Sequence, residues 1–556
     1  MLSGPFAALA VESEPYVNAG NILIRKVKKI ILVPLFSTTK QLSSIKQNDE
    51  DLYIELLYSA FREHNLFFSN SFDLTQSQQR ISKFSSKQLS EPLWTRADNR
   101  FFWNKEVVRD LIACSADEWI IPFMSAHIEF QPGCDIENEK FSIIFISRRS
   151  RFRQGCRFTK RGIDDKGHVA NFVETEQILL FSDNKITSYV QIRGSIPVYW
   201  WSPVHMKYAP KVNIHDNQLK SIESCEKHVV EVLHDYADHN GKSGITFVNL
   251  IDGKKEQGNL AKVFKEVVDS VRSKMQLPPK SNILNYIWFD FHHETKQKGK
   301  WNNLSKLITQ FDNDCPSPGY FCRLASGQVS SYQVGVIRTN CMDNLDRTNV
   351  VQSLFGRRSL LLQLGKNKAL DGQKVLDTPW KPFEKVYKSI WANNANAISQ
   401  LYAGTGALKV DFTKTGKRTL KGIFNDGVNS CMRYYINNFT DGVKQDSIDL
   451  LLGIYRPDYT SPSPFVERPR KETVTSNLTK AFAFMMILFT TSIIFCPRYS
   501  AATDMLNSLS YYLLISFLIT LLFVSYTTYL LVKKGSKLGE RLVVLPKLVP
   551  EIIEPN

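Results

Sequence analysis

Cys341 and Arg347 stand six positions apart in the run CMDNLDRT (341–348). A thiolate can attack phosphorus in line, and a planar guanidinium can grip two equatorial oxygens at once, which the point charge of a lysine does not do. Together they predict a covalent phosphocysteine that water then hydrolyses. The spacing alone is a weak signal, because a chain with nine cysteines shows about one such pair by chance. Only Cys341 among the nine has an arginine six positions on. The plain alternative is a buried, inert cysteine beside a surface arginine.

Two acids in the same loop need an explanation. Asp343 and Asp346 repel an anion unless each has a task or a cationic partner. A leaving alcohol oxygen needs a proton, so one of them is expected to be a general acid. Asp343, nearer the nucleophile in sequence, is favoured; Asp346 is left to orient Arg347 or a neighbouring lysine. Thr348 either caps the following helix or donates to the thiolate. Asn344, Asp346 and Thr348 are the loop residues expected to line the bound anion.

The elements around this loop suit it. YQVGVIRT (332–339) reads as a strand and NVVQSLFGRRSLLLQL (349–364) as a helix, so the loop feeds a helix N-terminus. Its backbone N–H groups and the helix dipole make an anion site, and the same potential favours a thiolate. Upstream, GITFVNLID (244–252) and NILNYIWFDFH (282–292) read as strands and 256–275 as a helix. This alternation predicts an α/β unit over 191–455, preceded by a β-rich part over 1–190 with runs such as FSIIFIS (141–147).

The 556 residues carry 70 Lys and Arg against 54 Asp and Glu. That surplus favours anionic partners: nucleic acid, anionic lipid or a phosphorylated substrate. The scattered cysteines show neither CxxC pairs nor zinc spacing, which predicts a reducing compartment, the cytosol. The first residues, MLSGPFAALA, lack a basic n-region and are not expected to be a signal peptide.

Near the C-terminus, 481–496 and 508–532 are free of charge. About 20 apolar residues span a bilayer as a helix, so 480–532 is expected to be a two-helix transmembrane hairpin. Arg468, Arg470, Lys471 and Lys480 precede it, and Lys533, Lys534, Lys537 and Arg541 follow it. The positive-inside rule then places the large N-terminal region and the tail, 533–556, in the cytosol. Asn438 in the acceptor sequence Asn-Phe-Thr is therefore expected to stay unglycosylated. The Pro- and Ser-rich stretch 456–479 reads as a linker with a coil reach of about 25–30 Å.

The run RTNCMDNLDRTNVVQS (338–353) resembles the signature of the Sac-domain phosphoinositide phosphatases, RxNCxDCLDRTN. RRSRFRQGCRFTKRGID (148–164), YVQIRGSIPVYW (189–200), FDFHHE (289–294) and YAGTGALKVDFTKTGKRT (402–419) carry the same resemblance. With its C-terminal hairpin the chain resembles the integral-membrane branch of that family, which resides in the endoplasmic reticulum and Golgi. The resemblance implies a β-rich Sac subdomain followed by an α/β catalytic one. It implies hydrolysis of phosphatidylinositol monophosphates, chiefly the 4-phosphate, at an anionic membrane surface, without cofactor or metal. It assigns the nucleophile to Cys341, the phosphate grip to Arg347 and the acid to Asp343. Three positions depart from the family pattern. Asn344 replaces a cysteine, Thr295 replaces another, and Asn393 replaces an aspartate whose loss weakens catalysis if that residue serves the loop.

Other readings compete. A protein phosphatase can use the same loop, and a catalytically weak phosphoinositide sensor or tether can share the anchor. A nucleic-acid protein fits least, because the spans place the domain at a membrane. Arg148, Arg149, Arg151, Arg153 and Arg157 either line the substrate route or form structural ion pairs, as do Lys409, Lys414, Lys417 and Arg418. His292 and His293 are expected to be hydrogen-bonded core residues more than site residues.

Overall fold

A computed structural model of the protein describes residues 6–20, 22–35, 43–204, 211–278, 281–297, 300–366, 376–415, 419–458, 460–465 and 543–548. Nearly all belong to one compact unit. Of a second unit, His205–Ala209 with Pro462–Val543, only Pro462–Phe465 and Val543 are described. Both apolar runs expected to span a membrane lie outside the described residues, and no helix among the described residues is long and apolar enough to cross one.

The strands form one large mixed sheet. Its antiparallel part runs through Phe6–Ala19, Ile22–Pro34, Leu66–Phe68, Met124–Ile136, Glu139–Arg149, Val173–Phe181 and Ile186–Arg193. Ile186–Arg193 then pairs in parallel with Val336–Asn340, which pairs in parallel with Ile245–Asn249, and that strand with Leu284–Trp288. The expected division at 190/191 falls inside the strand Ile186–Arg193, and the sheet continues through it.

The parallel strands are covered on both faces, which explains their nearly unbroken apolar runs. Ile245 and Phe247 join the helices Gln218–Asp235 and Lys255–Lys274 on one side. Val248 and Ile337 join Leu304–Asp314 and Asp346–Gln363 on the other.

Two expected strands are shorter than the apolar pattern suggests. The strand from 282 stops at Trp288, because Asp290 accepts the His293 backbone N–H (3.0 Å) and caps a helix, Phe291–Lys296. Asp is a strong N-cap, so FDFHH turns where its apolar residues alone would extend. The strand expected from 332 begins at Val336, because the Gln333 side chain meets both backbone groups of Val190 at 2.8 and 2.7 Å and takes the place of a ladder bond.

Part of the basic block is structural. Arg148 is fully buried and bonds Glu174 (3.0 Å), Glu176 (2.6 Å) and the Leu74 carbonyl (2.6 Å). The Asn438 amide is buried and donates to the Tyr434 carbonyl.

Candidate active site

Ligand sites in parallel sheets lie at the carboxyl ends of the strands. Here three such ends meet. Val336–Asn340 ends at Cys341, Ile245–Asn249 leads to Asp252, and Ile186–Arg193 ends on Arg193 itself, in register with Thr339. Asn340 Nδ2 donates to Asn249 Oδ1 (2.7 Å), which ties two of these ends together.

Cys341 is buried at the head of the loop. Its backbone N–H donates to Asn344 Oδ1 (3.2 Å), and Asn344 holds the left-handed conformation with φ of 54°. Asparagine tolerates that region better than most residues and can close a turn with its side chain. Asn344 therefore shapes the loop at the position where the signature has cysteine.

The helix Asp346–Gln363 begins with no side-chain cap. Thr348 does not serve as one. Its Oγ1 is buried and has no hydrogen-bond partner among the described residues, so it is available to an anion in the loop.

The two loop acids sit in opposite electrostatic states. Asp343 bonds Arg157 (2.7 Å) through one oxygen and Arg161 (2.7 Å) through the other. Burial works against its charge, but the two guanidinium groups outweigh that and hold its carboxyl far below the usual range. Asp346 is pushed up by burial, which exceeds the pull of Arg433 (3.6 Å) and of the Leu408 backbone N–H (2.7 Å). Asp346 thus meets Arg433 and Leu408, with the charge of Lys409 a smaller pull; of the expected partners, Arg347 bonds Asp252 instead.

Arg347 bonds Asp252 Oδ1 (3.1 Å) and the Leu250 carbonyl (3.2 Å). Asp252 also accepts from His292 Nδ1 at 3.0 Å. Burial raises the Asp252 carboxyl, yet the His292 bond and the Arg347 charge prevail and lower it. His292 is partly exposed in this cluster, whereas a core position was expected.

Arg193 is the strongest feature that pattern reading missed. It is fully buried, its Nη2 donates to Asn349 Oδ1 (3.3 Å), and its Nε and Nη1 have no partner among the described residues. Burial pushes its guanidinium down to about 10, and the Cys341 sulfur is the group that pulls it back up. A buried cation without a carboxylate is rare unless an anion visits it. Arg193 and Arg161 lie inside sequence blocks recognisable by resemblance, but only the fold brings them to the loop.

Asn393 lies away from the chemistry. Its Nδ2 donates to Glu129 at 3.2 and 3.3 Å, so an aspartate there would face a carboxylate and not a loop cation. Its neighbour Asn394 joins the site through Asn349 Oδ1 (3.0 Å). Lys417 and Arg418 lie outside the described residues.

The chain is similar to known proteins over most of its length. A family model described as the SacI homology domain matches residues 2–296. The chain is 42% identical over 425 residues to phosphatidylinositol-3-phosphatase SAC1-A of Danio rerio, covering 76% of this chain and 69% of that protein. It is 37% identical over 456 residues to phosphatidylinositol-3-phosphatase SAC1 of Drosophila melanogaster, covering 81% and 74%. It is 33% identical over 494 residues to phosphoinositide phosphatase SAC6 of Arabidopsis thaliana, covering 88% and 79%.

Proposed function

The chain belongs to the SacI homology domain family, and from that membership we propose that it is a phosphoinositide phosphatase, a phosphoric monoester hydrolase acting through Cys341. The observation that carries this reading is the gathering of Cys341 with Arg157, Arg161, Arg193 and Arg347 around one short loop.

The chemistry follows from those groups. The Cys341 thiolate attacks phosphorus while the bond to the inositol oxygen breaks, and that oxygen takes a proton from a loop carboxyl. Water then attacks the phosphocysteine, releasing phosphate and restoring the thiolate. Substrate draws Arg347 away from Asp252 onto two phosphate oxygens, and Thr348 Oγ1 donates toward the same anion. Burial raises the Asp346 carboxyl, which favours the protonated form a general acid needs. Asp343, favoured on sequence grounds, gains one when the phosphate takes Arg157 and Arg161 from it.

Two compared relatives are named phosphatidylinositol-3-phosphatase, whereas the sequence resemblance implies the 4-phosphate. We assign the class as phosphatidylinositol monophosphates, with the 4-phosphate foremost. The uncharged runs 481–496 and 508–532 support a membrane anchor, and the charges flanking them support cytosolic placement of the catalytic region and the tail. Residence in the endoplasmic reticulum and Golgi rests on resemblance alone.

The test is phosphate release from a panel of all phosphoinositide isomers, with wild type beside Cys341→Ser, Asp343→Asn and Asp346→Asn. Release by wild type, strongest on a monophosphate and abolished by Cys341→Ser, is expected. Equal activity of Cys341→Ser would end the covalent reading. Loss in only one of the aspartate variants names the acid.

A further inference from the structure

The helix Leu420–Phe439 wears its apolar residues outward. Leu420 is 86% exposed and Phe424 72%, and Ile423, Val428, Met432 and Tyr435 are exposed on the same side. The spacing 420, 424, 428 and 432, with 435 beside it, makes one continuous stripe. An exposed apolar stripe of this length on a folded domain marks a surface that meets something else.

The opposite side of the helix is tied to the catalytic loop. Arg433 is buried, bonds Thr405, Ser399 and the Gly406 carbonyl at 2.8 Å each, and lies 3.6 Å from Asp346. One helix thus presents an apolar stripe outward and braces the loop inward.

What meets the stripe is indicated by charge and by chain length. Lys409–Lys421 holds five Lys and Arg against the single Asp411, and Lys414 and Lys421 are exposed. That composition suits an anionic surface better than a second copy of a chain that carries sixteen net positive charges. The far end of the helix is tied to the C-terminal segment. The Val544 N–H donates to the Asn438 carbonyl (2.8 Å), and Asp446 accepts from the backbone of Lys547 and Leu548. Val544 follows the end of the second uncharged run by twelve residues, which reach about 40 Å at most. The helix is therefore leashed close to wherever that run is embedded.

We propose that the exposed face of Leu420–Phe439 docks on the anionic membrane surface, with Leu420, Phe424, Val428 and Tyr435 entering the headgroup boundary and Lys414 and Lys421 beside them. This rests on the membrane-phosphatase reading given above. Amphipathic helices of this kind lie in the interface plane with the apolar side sunk among the headgroups. Docked so, the helix sets the loop about one helix diameter, roughly 10 Å, above the lipid. A lipid headgroup is delivered to Cys341 while its acyl chains stay in the bilayer.

Two measurements on the full chain, reconstituted in phosphatidylcholine–phosphatidylserine vesicles, decide it. Cys431 is exposed on the stripe, so it can carry a fluorophore once Cys114, Cys315, Cys341 and Cys496 are replaced by serine. Quenching by a shallow lipid nitroxide is expected there, and not from a label on Cys114 with Cys315, Cys341, Cys431 and Cys496 replaced. Access to aqueous acrylamide only, or a signal that follows protein density, would overturn the proposal. The variant Leu420→Ser/Phe424→Ser/Val428→Ser is expected to lose at least tenfold on bilayer phosphoinositide while staying within twofold of wild type on a water-soluble short-chain substrate. Parallel loss on both, or on neither, would overturn it. A wild-type protein inactive on both substrates would sink the phosphatase reading and leave quenching to decide the docking.

Discussion

Arg193→Met is expected to make the fold more stable and the enzyme much worse. The guanidinium is fully buried, and burial takes it from 12.5 to about 10. At 1.36 kcal/mol for each pKa unit, that is roughly 3 kcal/mol spent keeping the charge out of water. Methionine fills similar space without charge, but it forfeits the bond to Asn349, worth about 1 kcal/mol, and some packing, worth about another. The net expectation is a gain of about 1 kcal/mol in unfolding free energy, read as an upward shift of the denaturant midpoint at unchanged slope. Turnover of a short-chain phosphoinositide is expected to fall at least a hundredfold, because the sulfur loses its buried counter-charge. The rate of Cys341 alkylation at fixed pH, followed by peptide mass, is expected to fall, and Arg193→Lys is expected to restore part of it. A variant that is less stable than wild type, or that keeps its alkylation rate, would refute the argument and reduce Arg193 to a strut of the sheet.

Three further outcomes follow from the geometry. Asn344→Ala is expected to cost about 1 kcal/mol and most of the activity, since alanine is strained at φ of 54° and cannot accept from the Cys341 N–H, whereas Asn344→Gly should recover the stability but not the loop closure. Asn393→Asp, the family residue, is expected to lower stability by about 1 kcal/mol through repulsion with Glu129 and to leave kcat unchanged; a rise in kcat would show that the position serves the loop. Asp441 is pushed up to about 7 by burial, with Lys444, the Cys156 thiol and Arg157 pulling down and Glu63 pushing up. A carboxyl raised this way lends its stability fully below the unfolded value near 4 and loses it as pH climbs through 7, a swing of about 2–4 kcal/mol. Unfolding midpoints should fall between pH 4 and pH 8 in wild type and stay flatter in Asp441→Asn.

The place of Cys341 and its loop between a strand and a helix was legible because their neighbours are local. Strand, loop and helix follow one another within 336–363, so spacing and period suffice to place Cys341, Asn344 and Thr348. Most of the charged groups around the loop were not legible. Arg161, Arg193 and Asp252, with Arg157, which was left open between the substrate route and an ion pair, lie 89 to 184 residues upstream of Cys341; the pairing of parallel strands brings in Arg193 and Asp252, and the ion pairs to Asp343 bring in Arg157 and Arg161. The same distance explains the acids. From sequence, Asp343 and Asp346 differ only in order, whereas the fold gives one two arginines and the other a burial cost. Elements failed where a side chain replaced a backbone pattern, at the Asp290 cap and at Gln333, because periodicity counts apolar residues and is blind to a polar one bonded to the main chain.

The strand that leads into Cys341 lies between two partners made far earlier in synthesis. Roughly 140 residues separate Arg193 from Val336, and a ribosome adding about 5–20 residues each second needs about 7–28 s to cross them. During that interval the strand ending at Arg193 offers an open edge, joined by that of Ile245–Asn249 once it is made, the kind of surface that invites wrong pairing. The sheet is completed by the segment that delivers the sulfur, so assembly and competence arrive in one event. Nascent chains truncated before 336 should associate with chaperones and resist compaction, and no fragment lacking that strand should hold the nucleophile's cradle in shape.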